Sequence, residues 1–259
     1  MHDGRALRAA ELLLAVRHGA PRLAALPADL APQTLAEAYA IQRELLALLG
    51  TSIGGWKATL FDAQHGICAP IPRNALMPSP ATLAQHCLST HQTSRLGLEP
   101  EVAFLLGADL PPRGANAPYS MEAVCAAVAS AHAAIEIVVT RYVDFNAVSQ
   151  LERVADNFMN EALVIGAPCL QWRELALSEL PLQVQVDDLS VHTGLGGHPL
   201  ANPLLPLHWI ANHLATLGSG LRSGEYVTTG SCNGLRHIEA GQAARATFTG
   251  LGSAEVSFQ

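Results

Sequence analysis

The chain has 259 residues, 49% of them hydrophobic and 14% charged, which suits one large domain or a core domain with a smaller annex and predicts apolar surface buried between subunits. A formal charge of −7 and the lack of a basic run argue against nucleic acid and anionic membranes as partners. Five cysteines without CxxC spacing argue against a disulfide framework and predict free thiols in a reducing cytoplasm.

Helices dominate the predicted first part of the chain. Residues 5–18 repeat apolar positions at helical spacing, and this amphipathic run is typical of neither a signal peptide nor a membrane span. A second helix begins at Thr34, with Glu37 completing a capping box, and ends at Gly50. A short strand over residues 56–60 and an irregular, proline-rich segment over residues 68–83 follow, and the latter marks a change of region.

Strands dominate the predicted second part. Ser120 caps a helix over residues 121–132 that leads directly into a β-branched strand. The other predicted elements are a strand at 96–106, a period-two hairpin arm over 180–194, a helix at 202–218 ended by Gly218, and short strands from 225 to the C-terminus. The chain shows no internal repeat.

Two glutamates lie on one face of the predicted strand "LGLEPEVAFLL". Because side chains two apart in a strand point to the same side, Glu99 and Glu101 share a face, while Leu98, Val102 and Phe104 share the other. Glu136 lies in a second apolar strand, "AAIEIVVTRY". Taken singly, the first two suit a solvent-facing strand edge and the third a salt bridge with an arginine.

Taken together, three carboxylates without a convincing His or Cys ligand set favour a hard cation, Mg²⁺ or Mn²⁺, over zinc. A metal there would explain why like charges are tolerated side by side. Spacing alone does not bring Glu136 to the pair.

Lys57 and the turn at residues 229–234 are the remaining candidates. Lys57 is the single lysine of the chain and lies in an apolar setting, where an ammonium suits binding an oxyanion or moving a proton; the alternative is a surface lysine. The turn "TGSCNG" offers hydroxyl and backbone donors to a carboxylate, or is a plain β-turn.

The order of these motifs resembles the 2-keto-4-pentenoate hydratase group of the fumarylacetoacetate hydrolase superfamily. The motifs are "GGWK", "GLEPEVAF", "AAIEIV" with an arginine close behind, "ADN" and "LRSGEYVTTGS", from about the Thr34 helix to the C-terminus. E-x-E with a downstream Glu is the most specific of them.

The resemblance implies an α+β fold, with a mixed β-roll core, peripheral helices and an N-terminal α/β annex. We divide the chain accordingly into an annex at 1–80 and a catalytic core at 81–259. The resemblance also implies a homo-oligomer and a Mg²⁺ (or Mn²⁺) ion held by Glu99, Glu101 and Glu136. Lys57 takes the position of the family lysine, and the turn that binds the substrate carboxylate falls on residues Thr229, Gly230 and Ser231.

The activity this resemblance implies is addition of water to a 2-hydroxydienoate or 2-oxo-enoate in the catabolism of aromatic compounds. The chain departs from the family pattern at three places. Many hydratases have an acidic residue where "CAPIP" has Ile71, an Asp-Ser where this chain has Val139 and Thr140, and small residues after "ADN" where it has Phe158 and Met159. Decarboxylation of a 2-oxo-enedioate, hydrolysis of an acylpyruvate and a non-catalytic relative are therefore alternatives.

Overall fold

The computed structural model describes residues 4–62, 64–84, 95–114, 116–196 and 200–259. The helices are α1 (Gly4–Arg17), α2 (Leu35–Leu48), α3 (Met121–Ala127), α4 (Gln150–Ala155) and α5 (Leu204–Thr216). Helix α1 packs on α2, and α2 also packs on α4 and on the strand Gly66–Pro72. Helix α5 packs on that strand, on the strand Ile53–Leu60 and on α3. Among the described residues, no helix combines the length and the hydrophobicity needed to cross a bilayer.

Thirteen strands are described, and they form two sheets. The strands are β1 (Ile53–Leu60), β2 (Gly66–Pro72), β3 (Leu76–Pro78), β4 (Ala81–Leu83), β5 (Arg95–Leu106), β6 (Val128–Val138), β7 (Asn160–Ile165), β8 (Pro181–Val186), β9 (Leu189–Leu195), β10 (Tyr226–Thr228), β11 (Arg236–Glu239), β12 (Ala243–Phe248) and β13 (Gly252–Phe258). This mixed α+β architecture confirms the predicted fold class.

The larger sheet has the order β2-β1-β10-β5-β6-β7-β3, and β11 pairs with the first residues of β5. The β1–β10 and β3–β7 pairs are parallel, and the other pairs are antiparallel. Strands β1 to β3 come from the predicted annex and pair within the same sheet as β5, β6 and β7. The two predicted parts therefore share one sheet, and the boundary at residue 80 stays a prediction.

The smaller sheet has the order β4-β13-β12-β8-β9, and its strands β12 and β13 pack against β6. The main core contains Val102 and Phe104 of β5 and Ile135 of β6, all essentially inaccessible to solvent. The opposite face of the larger sheet holds a separate small apolar cluster that includes Ala103 and Ala134. Alternation along β5 therefore commits one face to the core and leaves the other for the glutamates.

The predicted helix over residues 121–132 is wrong in its second half. Ser120 caps α3 as predicted, with its hydroxyl accepting a bond from the Ala123 amide, but the helix ends at Ala127. Residues 128–132 belong to β6 and pair with the far half of β5. Pairing with a twelve-residue neighbour outweighs the helix propensity of this alanine-rich segment.

Two further local predictions need correction. The proline-rich segment is not irregular, because residues 66–72 form β2 and pair with β1. The Thr34 cap forms, but the carboxylate of Glu37 accepts from the Gln33 amide rather than from Thr34, so the capping box is incomplete. The four described cysteines are free thiols, as predicted, and Cys87 lies outside the described residues.

Candidate metal centre and its cavity

The three glutamates meet because of the register between β5 and β6. Glu99 and Glu136 are directly paired across these antiparallel strands, and Glu101 lies two residues further along β5 on the same face. One carboxylate oxygen from each glutamate lies within 4.8 Å of the others. The structure therefore brings together the three residues that spacing alone left apart.

Burial makes this carboxylate cluster costly without a cation. Glu101 and Glu136 are fully buried, whereas the side chain of Glu99 is 18% exposed. Burial and the charge of Glu136 hold the pKa of Glu101 well above its usual range. Burial likewise raises the pKa of Glu136, although Lys57 opposes the effect.

The donor set fits a hard divalent ion. Glu101 Oε1 and the side-chain oxygen of Asn160 are buried and have no hydrogen-bond partner among the described residues. Buried oxygens without donors and three clustered carboxylates are the ligand chemistry that Mg²⁺ and Mn²⁺ prefer. A divalent cation would also offset the mutual repulsion of the glutamates.

Lys57 supplies the one positive charge that contacts the cluster among the described residues. Its ammonium lies 2.8 Å from Glu136 Oε2 and 3.3 Å from Glu99 Oε2, and it donates to the backbone oxygen of Phe158 at 3.3 Å. Burial alone would lower the pKa of Lys57, but Glu136, Glu99 and Glu101 more than offset this and raise it. The ammonium of Lys57 is therefore charged at neutral pH in the metal-free protein.

Strand β10 determines how Lys57 reaches the glutamates. Lys57 pairs with Thr228, and Thr228 pairs with Ala103 on β5, so the three side chains lie on one face of the sheet. Inserting β10 between β1 and β5 places the lysine across from the E-x-E pair.

The turn at residues 229–231 lies beside the cluster, but several of its donors are already used. The Thr229 hydroxyl donates to the Val102 carbonyl, and the Ser231 hydroxyl donates to the Gly234 carbonyl. The Gly230 amide donates to Glu101 Oε2 at 3.0 Å, from a backbone with φ of 100° that favours glycine. The turn thus orients Glu101, and its binding of a substrate carboxylate stays a prediction.

A cavity of about 300 Å³ opens over the cluster. Lys57, Glu99 and Glu101 line it together with the turn at 229–231 and Phe158. Ile71 is fully buried in the small apolar cluster with Ala103 and Ala134.

Residues 156–160 form a strap over the site, defined here as the segment from Asp156 to Asn160. Asn160 donates to Glu136 Oε1 at 2.7 Å and fixes that carboxylate. Arg141, fully buried, pairs with Asp156 at 2.5 Å and also donates to the Asn160 carbonyl. The "ADN" triplet, present in the family pattern, was the available signal for this strap.

We expect metal affinity to rise with pH above the ordinary glutamate value of 4.5. Raised pKa values mean that the folded protein holds protons more tightly than the unfolded chain does, so metal must displace protons. The dissociation constant for Mg²⁺ should fall by up to about tenfold per pH unit for each proton displaced. Calorimetry between pH 5 and 8 in buffers of different ionisation enthalpy measures both the affinity and the protons released.

The raised pKa of Glu101 also determines how the free energy of unfolding changes with pH. The contribution of Glu101 to the metal-free protein is fully present below its unfolded pKa and is lost as pH rises toward its folded pKa. The free energy of unfolding of the metal-free wild type should therefore fall, relative to that of Glu101→Gln, as the pH rises through this window. A pH-independent Mg²⁺ affinity would contradict the assignment.

No family model matches the chain. The 2-keto-4-pentenoate hydratase of Paraburkholderia xenovorans is 31% identical over 162 residues, which are 62% of this chain and 58% of that protein. The 2-keto-4-pentenoate hydratase of Paraburkholderia phymatum is 29% identical over 228 residues, or 85% of each chain. The predicted resemblance to this group is confirmed.

The solved structure of 4-oxalocrotonate decarboxylase from Pseudomonas putida G7, complexed with magnesium and adipate, superposes with a TM-score of 0.83. The superposition covers 99% of this chain and 98% of the decarboxylase at 22% identity. The chain has the fold of the fumarylacetoacetate hydrolase superfamily.

Proposed function

We propose that this chain is a Mg²⁺-dependent hydratase that adds water to a short 2-hydroxydienoate or 2-oxo-enoate in aromatic-compound catabolism. The observation that carries the proposal is the buried cluster of Glu99, Glu101 and Glu136 with Lys57 at hydrogen-bond distance, in a cavity that suits a small acid. Similarity to 2-keto-4-pentenoate hydratases over up to 85% of the chain supports the reaction class.

In this proposal the glutamates hold the metal, which supplies Lewis-acid stabilisation of the negative charge developing on the 2-oxo oxygen. Lys57 holds a proton beside that charge and can donate it or hydrogen-bond the oxygen. Asn160 and the Gly230 amide keep Glu136 and Glu101 oriented. Ketonisation transfers the proton of the 2-hydroxyl to C5, which places the C3–C4 double bond in conjugation with the 2-oxo group. Water then adds its hydroxyl to C4, the β-carbon, and its proton to C3.

The second candidate is decarboxylation of a 2-oxo-enedioate. One observation favours it: the superposition on 4-oxalocrotonate decarboxylase, which covers 99% of this chain. Both reactions pass through an enolate of a 2-oxo acid, which a metal ion would stabilise, so the metal cluster alone does not separate them.

The test is to mix the purified protein and Mg²⁺ with 2-hydroxypenta-2,4-dienoate and to follow the loss of its ultraviolet absorbance. We expect 4-hydroxy-2-oxopentanoate to form without CO₂. Glu101→Gln should reduce the rate to the spontaneous rate. The matched control is Glu122→Gln, because Glu122 is an exposed glutamate on α3. CO₂ from 4-oxalocrotonate without hydration of the dienoate would favour the decarboxylase, and no turnover of either acid would favour a non-catalytic relative.

A further inference from the structure

A second cavity adjoins the cavity over the glutamate cluster, which we call the metal cavity. It measures about 530 Å³, against about 300 Å³ for the first, and its basic lining residues are Arg22, Arg95 and His237. Glu99 and Phe158 line both cavities. The second cavity is therefore a neighbour of the proposed reaction site that the proposed hydration does not use.

The ring of Phe158 stands between the two cavities. Lys57 Nζ, which lines the first cavity, lies 5.4 Å from the ring centroid. The ring of Phe145, which lines the second, meets Phe158 edge to face at 5.5 Å between centroids. Phe158 is thus in contact with one residue from each side, and its ring forms part of the wall.

The backbone holds this ring in place. Asn157, Phe158 and Met159 have φ values of 50°, 49° and 67°, in a region that residues with side chains seldom adopt. The Met159 amide donates to the Asp156 carbonyl, and the Met159 carbonyl accepts from Val139, so the strap is fixed on both sides. The hydrogen bond from Lys57 to residue 158 goes to the backbone oxygen, so this bond does not depend on the ring.

We propose that Phe158 determines substrate length by closing the metal cavity against the second cavity. Phe158 limits the enzyme to short 2-oxo acids with an uncharged tail. A longer acid with a second carboxylate would need the space of the ring, and its tail would then lie in the cavity lined by Arg22, Arg95 and His237. This inference rests on the proposed function, since it takes the metal cluster as the place that binds the 2-oxo acid head.

The test is a graded series of three variants, Phe158→Leu, Phe158→Val and Phe158→Ala. Each is assayed for the addition of water to 2-hydroxypenta-2,4-dienoate and to the longer diacid 4-oxalocrotonate. We expect the ratio of the two kcat/KM values to move toward the diacid by at least about tenfold in Phe158→Ala, with a smaller shift in Phe158→Val. Phe158→Leu is the matched control, because it removes the aromatic contact with Lys57 but keeps most of the bulk. Its ratio should stay within about threefold of wild type.

Binding provides a readout that does not need turnover. Calorimetry with Mg²⁺ compares 2-oxopentanoate with 2-oxoadipate for the wild type and each variant that unfolds cooperatively on heating. We expect the same shift in preference toward the diacid as the side chain shrinks. An unchanged preference in Phe158→Ala and Phe158→Val overturns the role of Phe158, whereas absent turnover with a shifted binding preference overturns only the proposed reaction.

Discussion

Glu101→Gln is expected to abolish divalent-metal binding and, in the absence of metal, to raise the thermal stability of the protein. The substitution keeps an acceptor for the Gly230 amide but removes a buried charge beside Glu136. Two carboxylates and the Lys57 ammonium then remain. Each kcal/mol gained should raise the melting temperature by about 2–4 °C for a chain of this size.

Mg²⁺ is expected to reverse the order of thermal stability, so that the wild type becomes more stable than Glu101→Gln. At about 100 times the dissociation constant, Mg²⁺ should stabilise the wild type by about 2.7 kcal/mol and leave Glu101→Gln unchanged. Differential scanning calorimetry with and without Mg²⁺ measures both differences, and Glu122→Gln should behave as wild type. Retained Mg²⁺ stabilisation in Glu101→Gln would show that the ion binds elsewhere.

Lys57→Met is expected to have the largest effect on both stability and turnover. It removes the cation that contacts Glu136 and Glu99 and leaves buried carboxylates uncompensated, which costs about 3–5 kcal/mol in the metal-free protein. The loss of its proton donor should lower kcat/KM by about 10²–10⁴. Urea unfolding and the dienoate assay measure the two effects.

Lys57→Arg is the matched control, because it keeps the charge but neither the compact ammonium nor its pKa. It should recover much of the stability and little of the turnover. Mg²⁺ should also recover part of the stability of Lys57→Met, since the ion supplies the missing positive charge. A metal-free Lys57→Met protein as stable as wild type would contradict the counter-charge role.

Local patterns predicted many elements because short-range chemistry specifies them. Helix α2 begins at the Thr34 cap, strand β8 follows period-two alternation, and α5 ends just before Gly218. Predictions failed where a distant partner decided the outcome. Residues 128–132 form a strand because β5 is long enough to pair with them, although the segment reads as a helix.

In the candidate site, too, some residues were predictable from local sequence and others were not. Alternation in "LEPEV" was sufficient to put Glu99 and Glu101 on one face. Their apolar settings made Glu136 and Lys57 candidates, and the resemblance implied their roles. Asn160 and Phe158 were not recognised as parts of the site, because their contacts with Glu136 and Lys57 depend on how the strap after Asp156 folds back. No local pattern encodes that path.

The sequence by itself determined which side chains could act: two glutamates on one strand face, one lysine, and an apolar residue at position 71. These follow from residue identity and from the two-residue period of a strand. Only the tertiary structure decided that Glu136 pairs with Glu99, that β10 brings Lys57 across from them, and that Phe158 walls the cavity. Hydrogen-bond register between segments distant in the chain fixes these distances, and it is a property of the whole sheet.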